Sequence, residues 1–180
     1  MKYNPNDLCP CTSGKKYKKC CRRYHQGMKV PTPEAIVRAR FGAYAIGLTD
    51  YLVNTLHPDH EDVELGLRKL VAQIEAYSIR NTFLKCDILS AEDEKVTYRA
   101  FIMAFHQDPL VYTEDAIFAK HGDLWYYLSG ETHVLDEDEL KAHLADLESE
   151  SAELKSQIAE TQATLAEAEA VLAEKTDESA

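Results

Sequence analysis

Five of the 180 residues are cysteines, and four of them lie close together near the N-terminus. Cys9 and Cys11 form a Cys-x-Cys pair, and after eight intervening residues Cys20 and Cys21 form a second pair. Four thiolates at this spacing are typical ligands of a closed, tetrahedral metal site. We expect zinc, and iron in the same cage is chemically compatible. Because four protein ligands leave no open coordination position, the pattern predicts a structural role for the metal.

Disulfide bonds or free thiols are the alternative uses of these cysteines. The chain shows no secretory signal and no apolar run of about eighteen residues, so we expect a cytoplasmic protein without a membrane span. Disulfides are rare in a reducing cytoplasm, and adjacent cysteines bond to each other poorly. A metal would also hold together a segment that is too short to bury a core of its own.

The sequence NDLCPCTSGKKYKKCC at residues 6–21 resembles the SEC-C motif, the small metal-binding module at the C-terminus of the translocation motor SecA. The resemblance maps the four ligands onto the four cysteines. In SecA the module docks on the chaperone SecB and on ribosomes, so the resemblance implies a protein partner of that kind. The docking residues that we expect are basic or aromatic: Lys15, Lys16, Tyr17, Lys18, Arg22 and Arg23.

Charge divides the chain into three regions although the net charge is −11. Residues 1–29 carry eight bases and one acid, residues 30–130 nine bases and fifteen acids, and residues 131–180 three bases and fifteen acids. A basic head suits an acidic partner or a phosphate backbone. Only Tyr17 and Tyr24 are interleaved with the bases, so we expect nucleic-acid binding only in a ribosomal context. The alternative is that these lysines are only solvent-exposed surface groups of a small metal-binding module.

The middle of the chain changes from a helical to a strand-like pattern. Helices are predicted over residues 35–46, 50–55 and 59–78. Segments rich in aromatic and β-branched residues follow, and strands are predicted over residues 82–90, 95–106, 110–120 and 124–129. This order predicts an α+β fold in which three helices cover one face of a curved antiparallel sheet.

Several segments of this region resemble the YchJ family of bacterial proteins. They are RYHQG at 23–27, PTPEA at 31–35, RARFGAYAIG at 38–47 and WYYLSG at 125–130. The resemblance implies a SEC-C module at residues 1–29 and a nuclear-transport-factor-2-like cone at 30–133, followed by a separate tail at 134–180. Family members carry hydroxyl groups at the positions of Ala39, Phe41 and Ala116, and their loss argues against a chemistry that depends on them.

Cones of this type often hold a small ligand in their open end, by fold analogy alone. Glu114 alternates in phase with Tyr112 and Phe118, so we expect its carboxylate to face an apolar side of its strand. An unpaired carboxylate there suits a general base, whereas pairing with an arginine makes it structural. The pocket residues that we consider are Arg38, Arg40, Arg99, Glu114 and Trp125.

The tail has no Gly, Pro, Phe, Trp or Tyr from Asp136 onward and is rich in Ala, Glu, Leu and Lys. Its apolar residues repeat in steps of four and three, which predicts a helix to about Lys175 with a coiled-coil-like seam. Weak positions in the seam and the excess of Glu predict at most a weak homo-oligomer through residues 136–175. Packing on a partner or on the cone, competition for the basic head, and a solvated single helix are the alternatives.

Two functions follow from these patterns. The first is a non-catalytic metal-binding adaptor that docks through its head. The alternative is a small-molecule-binding protein or enzyme that uses the cone pocket, with Glu114 as its polar centre. A deep pocket with an unpaired Glu114 favours the alternative, and a filled cone with a paired Glu114 favours the adaptor. We further expect that loss of Cys9 and Cys11 unfolds the head and leaves the cone nearly unchanged.

Overall fold

The computed structural model of the protein describes residues 3–104 and 109–177. It divides into two compact units, Met1–Leu135 and Asp136–Ala180. Helices precede a four-stranded antiparallel meander in the first unit, and the second unit consists of one helix. The predicted α+β class, with a cysteine-rich head and a C-terminal helix, is therefore confirmed.

The head is a turn-rich loop that brings the two cysteine pairs together. A bridge between Leu8 and Lys16 closes the loop, and the Cys9 amide donates to the Lys15 carbonyl at 2.7 Å. Gly14 takes a positive φ of 72°, which allows the chain to reverse between the pairs. A 3-10 turn at Tyr17–Lys19 and the short helix α1 (Arg22–His25) complete the head.

Three further helices follow: α2 (Pro33–Ile46), α3 (Thr49–Asn54) and α4 (Leu67–Arg80). Helices α2 and α4 pack on the sheet, and α3 packs on α2 and α4. The Thr32 hydroxyl caps α2 by accepting from the Ala35 amide. The prediction that the third helix begins at residue 59 was wrong. Glu61–Leu65 form a separate 3-10 turn, and Gly66, with a φ of 81°, stands between this turn and α4.

The strands are β1 (Asn81–Glu92), β2 (Lys95–Ala104), β3 (Pro109–His121) and β4 (Leu124–Val134), paired in chain order. Residues 105 and 106 of the second predicted strand lie outside the described residues. The register places Tyr98 opposite Glu114 on β2 and β3, and Phe118 opposite Tyr127 on β3 and β4. These pairs lie on the sheet face that carries the buried residues Val96, Ala100 and Ala116.

One apolar core includes residues of both the head and the cone. The buried side chains of Cys9, Cys11, Tyr17, Cys21 and Tyr24 belong to the same cluster as those of α2 and the sheet. A Cβ atom at Gly42 would lie 3.4 Å from the Cys11 amide nitrogen and 3.4 Å from Pro10 Cγ. Close packing of this kind joins the head to α2, so the structure favours joint unfolding over the separate unfolding expected from the sequence.

The tail helix α5 spans Glu137–Asp177. Its first turn is a capping box, because Asp136 Oδ1 accepts from the Glu139 amide at 2.9 Å and Glu139 Oε2 accepts from the Asp136 amide at 2.9 Å. Self-association through the seam stays a prediction. Within residues 3–104 and 109–177, no helix is long and apolar enough to cross a membrane.

Candidate metal centre and cone cavity

The four head cysteines converge on one point. Their Sγ atoms all lie within 4.8 Å of one another, with 3.6 Å between Cys11 and Cys20 and 3.8 Å between Cys20 and Cys21. A tetrahedral ion with Zn–S bonds of about 2.3 Å holds its sulfur ligands roughly 3.8 Å apart. All four are free thiols, and only Cys20 is partly exposed. The cluster therefore fits a structural metal site.

Hydrogen bonds between thiols of this cluster change the pKa values of Cys11 and Cys21. Hydrogen bonds from the Cys21 and Cys9 thiols lower the pKa of Cys11, and the bond to Cys11 raises the pKa of Cys21. The Ser13 hydroxyl lies 3.2 Å from Cys11 Sγ and 3.3 Å from Cys20 Sγ. Metal binding replaces the shared protons, because the thiolate is the ligand. Ser13 is positioned to hydrogen-bond two of the ligand sulfurs.

His25 ties the metal loop to the cone. Its Nε2 donates to the Ala39 carbonyl on α2 at 2.8 Å, so its Nδ1 accepts from the Tyr17 hydroxyl, also at 2.8 Å. The Cys86 amide on β1 donates to the Thr12 hydroxyl at 3.0 Å. The head is thus hydrogen-bonded to the cone at two points, Thr12 between the cysteine pairs and His25 at the end of α1. Burial lowers the pKa of His25.

The expected docking residues of the head divide into two groups. Lys15, Lys16, Lys18 and Arg23 are exposed, and Arg22 is partly exposed. Tyr17 is buried, with its ring edge-on to Tyr3, so its inclusion in the docking surface was wrong. Its side chain packs toward His25 and the core. Lys19 was missed; it is exposed beside Lys18.

The cone contains a half-open cavity of about 810 Å³. Glu114 lies on its wall and is 8% exposed. The Tyr98 hydroxyl donates to Glu114 Oε2 at 2.7 Å, and the Tyr127 hydroxyl donates to Oε1 at 2.9 Å. A Cβ atom at Gly130 would overlap the Tyr127 hydroxyl and lie 2.5 Å from Glu114 Oε1. Only glycine therefore leaves room for this pair.

Arg40 also lines the cavity, but it hydrogen-bonds to groups other than Glu114. Its Nη1 donates to the Leu52 carbonyl and to the Thr55 hydroxyl, both at 2.7 Å. The guanidinium lies 4.9 Å from the centre of the Tyr127 ring. Arg40 thus holds α3 against α2, and the expected arginine–carboxylate pair is replaced by two tyrosine hydroxyls.

Three of the residues considered for the pocket do not line the cavity. Arg38 and Arg40 are two positions apart on α2, so their side chains lie on different sides of the helix. The Nε atom of Arg38 lies 2.9 Å from Glu34 Oε1. Arg99 lies opposite Thr113 and so on the sheet face away from Tyr98 and Glu114. Trp125 packs on the core, with the Lys120 ammonium 4.7 Å from the centre of its ring.

The cavity also contains residues that the sequence analysis did not select. Tyr77, Tyr98, Tyr112 and His60 line it. Burial, and then the charge of Glu114, raises the pKa values of Tyr98 and Tyr127, so these hydroxyls remain donors at neutral pH. Burial lowers the pKa of His60. Period-two alternation puts Tyr112 on the same face as Glu114, but only the strand register brings Tyr98 to it.

The fold and site define a SEC-C head, with a four-cysteine cluster that fits a metal ion, packed on a nuclear-transport-factor-2-like cone. The model of the family described as "YchJ, middle NTF2-like domain" matches residues 32–130, and the SEC-C motif matches residues 6–23. The chain therefore belongs to the YchJ family.

Curated relatives carry the name UPF0225. The chain is 37% identical over 137 residues to a UPF0225 protein of Vibrio vulnificus, covering 73% of this chain and 78% of the relative. It is 36% identical to a UPF0225 protein of Corynebacterium efficiens, covering 73% of this chain and 98% of the relative. Among solved structures, it resembles RPA3114, a SEC-C motif containing protein from Rhodopseudomonas palustris. The TM-score is 0.58 at 28% identity, covering 73% of this chain and 99% of that one.

Proposed function

We propose that the protein is a non-catalytic adaptor whose metal-bound head docks on an acidic surface of a partner protein. The observation that supports this most is a cluster of exposed bases, here named the basic surface. None of its members forms an ion pair within the part of the chain that the structure describes. The basic surface comprises Lys15, Lys16, Lys18, Lys19 and Arg23.

The backbone under the basic surface is held rigidly. The Tyr17 amide donates to the Asp7 carbonyl at 2.9 Å, and the Lys18 amide donates to the Pro5 carbonyl at 2.9 Å. The intervening Tyr17 side chain is buried in the core. A surface fixed in this way loses less conformational freedom on binding than a flexible basic loop. This supports a docking role.

A protein partner suits the basic surface better than single-stranded nucleic acid does. Tyr17 and Tyr24 are both buried, so neither ring is presented among the lysines. Recognition of single strands relies on exposed aromatic platforms. The resemblance to the SecA module makes SecB and ribosomes the first partners to test.

The cavity supports a binding role over general-base catalysis. Each oxygen of Glu114 already accepts a hydrogen bond from a tyrosine whose pKa is raised. Two such donors fix the carboxylate in place, which suits a polar anchor for a ligand. Zinc or iron at the head serves the fold in this proposal and takes no part in a reaction.

Charge reversal tests the docking role. The triple variant K15E/K16E/K18E is compared with R68E/K69E/R80E, which changes the net charge equally at exposed positions of α4. Binding of both variants to purified SecB and to ribosomes is measured by biolayer interferometry, and metal content by elemental analysis. We expect the head variant to keep its metal and bind about tenfold or more weakly, with the α4 variant unchanged. Equal binding by all three proteins contradicts the proposal.

A further inference from the structure

We propose that the cone cavity binds an organic cation, an amine or quaternary ammonium group carried on an apolar body. The proposal concerns a site separate from the basic surface and does not depend on docking. The cavity volume of about 810 Å³ lies within the range of small-molecule sites, roughly 300–1,000 Å³. The volume alone does not indicate a ligand class, but the residues that line the cavity do.

Aromatic rings make up much of that wall. Three phenylalanines and five tyrosines line the cavity. The electron-rich faces of such rings attract ammonium groups, and the attraction grows where water is excluded. The same rings give an apolar ligand body a large contact surface. The tyrosines are Tyr44, Tyr77, Tyr98, Tyr112 and Tyr127.

Charge in the cavity is predominantly negative. Asp59, Glu61 and Asp62 line it, and their exposure places them at its rim; the Asp59 side chain is 83% exposed. Glu114 adds a fourth carboxylate at a buried position. His60 is uncharged at neutral pH, since burial lowers its pKa. A rim and an inner wall that carry mostly negative charge raise the local concentration of a cationic ligand.

The Glu114 carboxylate is pre-positioned to accept a further donor. Each of its oxygens has one tyrosine partner, at 2.7 and 2.9 Å, and a carboxylate oxygen accepts about two hydrogen bonds. The two hydroxyls fix the carboxylate, and the bare Cα of Gly130 stands beside it. A protonated amine can donate to these free lone pairs, whereas a quaternary ammonium group, which has no N–H, is attracted by the fixed negative charge alone. Neither requires the wall to reorganise.

Arg40 is the one arginine among the described residues of the cavity wall, and its guanidinium already has partners. Its Nη1 bonds the Leu52 carbonyl and the Thr55 hydroxyl, and its guanidinium stacks on Tyr127. An anionic ligand that bound to Arg40 would be repelled by the four carboxylates of the cavity, and Arg40 already has hydrogen-bond partners. The balance of charges therefore favours a cation.

The test compares three probes that share a phenyl body, using the metal-loaded full chain. Benzyltrimethylammonium carries the cation, neopentylbenzene is its neutral isostere, and 3-phenylpropionate carries an anion. Binding is followed by chemical-shift changes of the tyrosine ring signals during titration. We expect the cation to bind about tenfold more tightly than the neutral isostere, and the anion to bind most weakly.

Variants locate the interaction in the cavity. Glu114→Gln removes a negative charge from the wall, so it is expected to weaken binding of the cation about tenfold and to leave binding of neopentylbenzene unchanged. Asp115→Asn is the matched control, because Asp115 is the next residue of β3 and pairs with Lys95 and Thr97 outside the cavity. If Glu114→Gln fails to fold, the exposed rim variant D59N/E61Q replaces it, with an expected loss of about threefold.

Four results overturn the inference. These are no binding of the cation, equal binding of the cation and its neutral isostere, tighter binding of 3-phenylpropionate, and cation affinity that the cavity variants do not change. The third result would assign the cavity to anions held by Arg40. A cation preference that the cavity variants reduce and Asp115→Asn preserves supports the inference.

Discussion

His25 Nε2 lies 2.8 Å from the carbonyl oxygen of Ala39, so the metal-binding head is hydrogen-bonded to the first covering helix of the cone. The same imidazole accepts from the Tyr17 hydroxyl inside the head. One side chain thus links the loop that carries the cysteine ligands to the helix that carries Arg40. A metal bound at the cysteine cluster is therefore expected to stabilise the whole first unit.

Loss of the metal is expected to destabilise head and cone together. The variant C9S/C11S removes two soft ligands from a cluster that belongs to the shared core, and a cost of more than about 3 kcal/mol is expected. Differential scanning calorimetry should show one transition at a lower Tm. Cys86→Ala, a buried cysteine outside the cluster, controls for loss of a thiol and should retain the metal. A cone transition unchanged by C9S/C11S would show that the head is separable.

Tyr17→Phe tests the contact between head and cone more gently. The change removes the donor to His25 Nδ1 and leaves the ring in the core, so a loss of about 1 kcal/mol is expected. Urea unfolding measures it, with metal content unchanged. Tyr126→Phe is the control, because it removes the same hydroxyl group from a partly exposed tyrosine on β4. Equal stabilities of the two variants would mean that the hydrogen bond does not contribute.

Gly130→Ala is expected to disturb the Glu114 pair. The added methyl group overlaps the Tyr127 hydroxyl and Glu114 Oε1, which costs about 1–3 kcal/mol. Near-ultraviolet circular dichroism should report a changed tyrosine environment, and thermal unfolding should report the lower Tm. Ser129→Ala, the preceding residue of β4, should change neither. A Gly130→Ala protein with the spectrum and Tm of the wild type would contradict the packing described here.

Acidification is expected to destabilise the protein through His60. Burial lowers the pKa of His60, and the charge of Arg40 lowers it further. The charges of Asp62 and Glu61 raise this pKa and so act in the opposite direction. The centre of the His60 ring lies 5.3 Å from that of the Tyr127 ring. The unfolded chain therefore takes up a proton near pH 6.5, where the folded chain does not. The free energy of unfolding should fall as the pH drops below about 6.5.

His60→Asn isolates this contribution. Asparagine can still accept from the Asp62 amide, as His60 Nδ1 does at 3.1 Å, but it does not titrate. Urea unfolding between about pH 7.5 and 5 should give a shallower pH dependence for the variant than for the wild type. His25 is present in both proteins, so its titration cancels in the comparison. Identical slopes would show that His60 is not buried in its neutral form.

Three features could be predicted because they depend on local patterns: the cysteine cluster, the order of helices and strands, and the tail helix. Ligand spacing, period-two alternation and helix-forming composition all act over a few residues. The burial of Tyr17 could not be predicted, since it depends on which side of the head packs on α2. The pairing of Tyr98 with Glu114 depends on a register between strands. The choice of Arg40 over Arg38 depends on the rotation of α2 against the sheet.

The most direct test of the adaptor proposal is the salt dependence of partner binding. The dissociation constants of the full metal-loaded chain for SecB and for ribosomes are measured at about 50 and 200 mM salt. Docking through the exposed lysines predicts that affinity for at least one of them falls about tenfold or more over this range, and that K15E/K16E/K18E removes most of the dependence. Affinity that salt does not change, or no binding to either partner, would contradict the proposal.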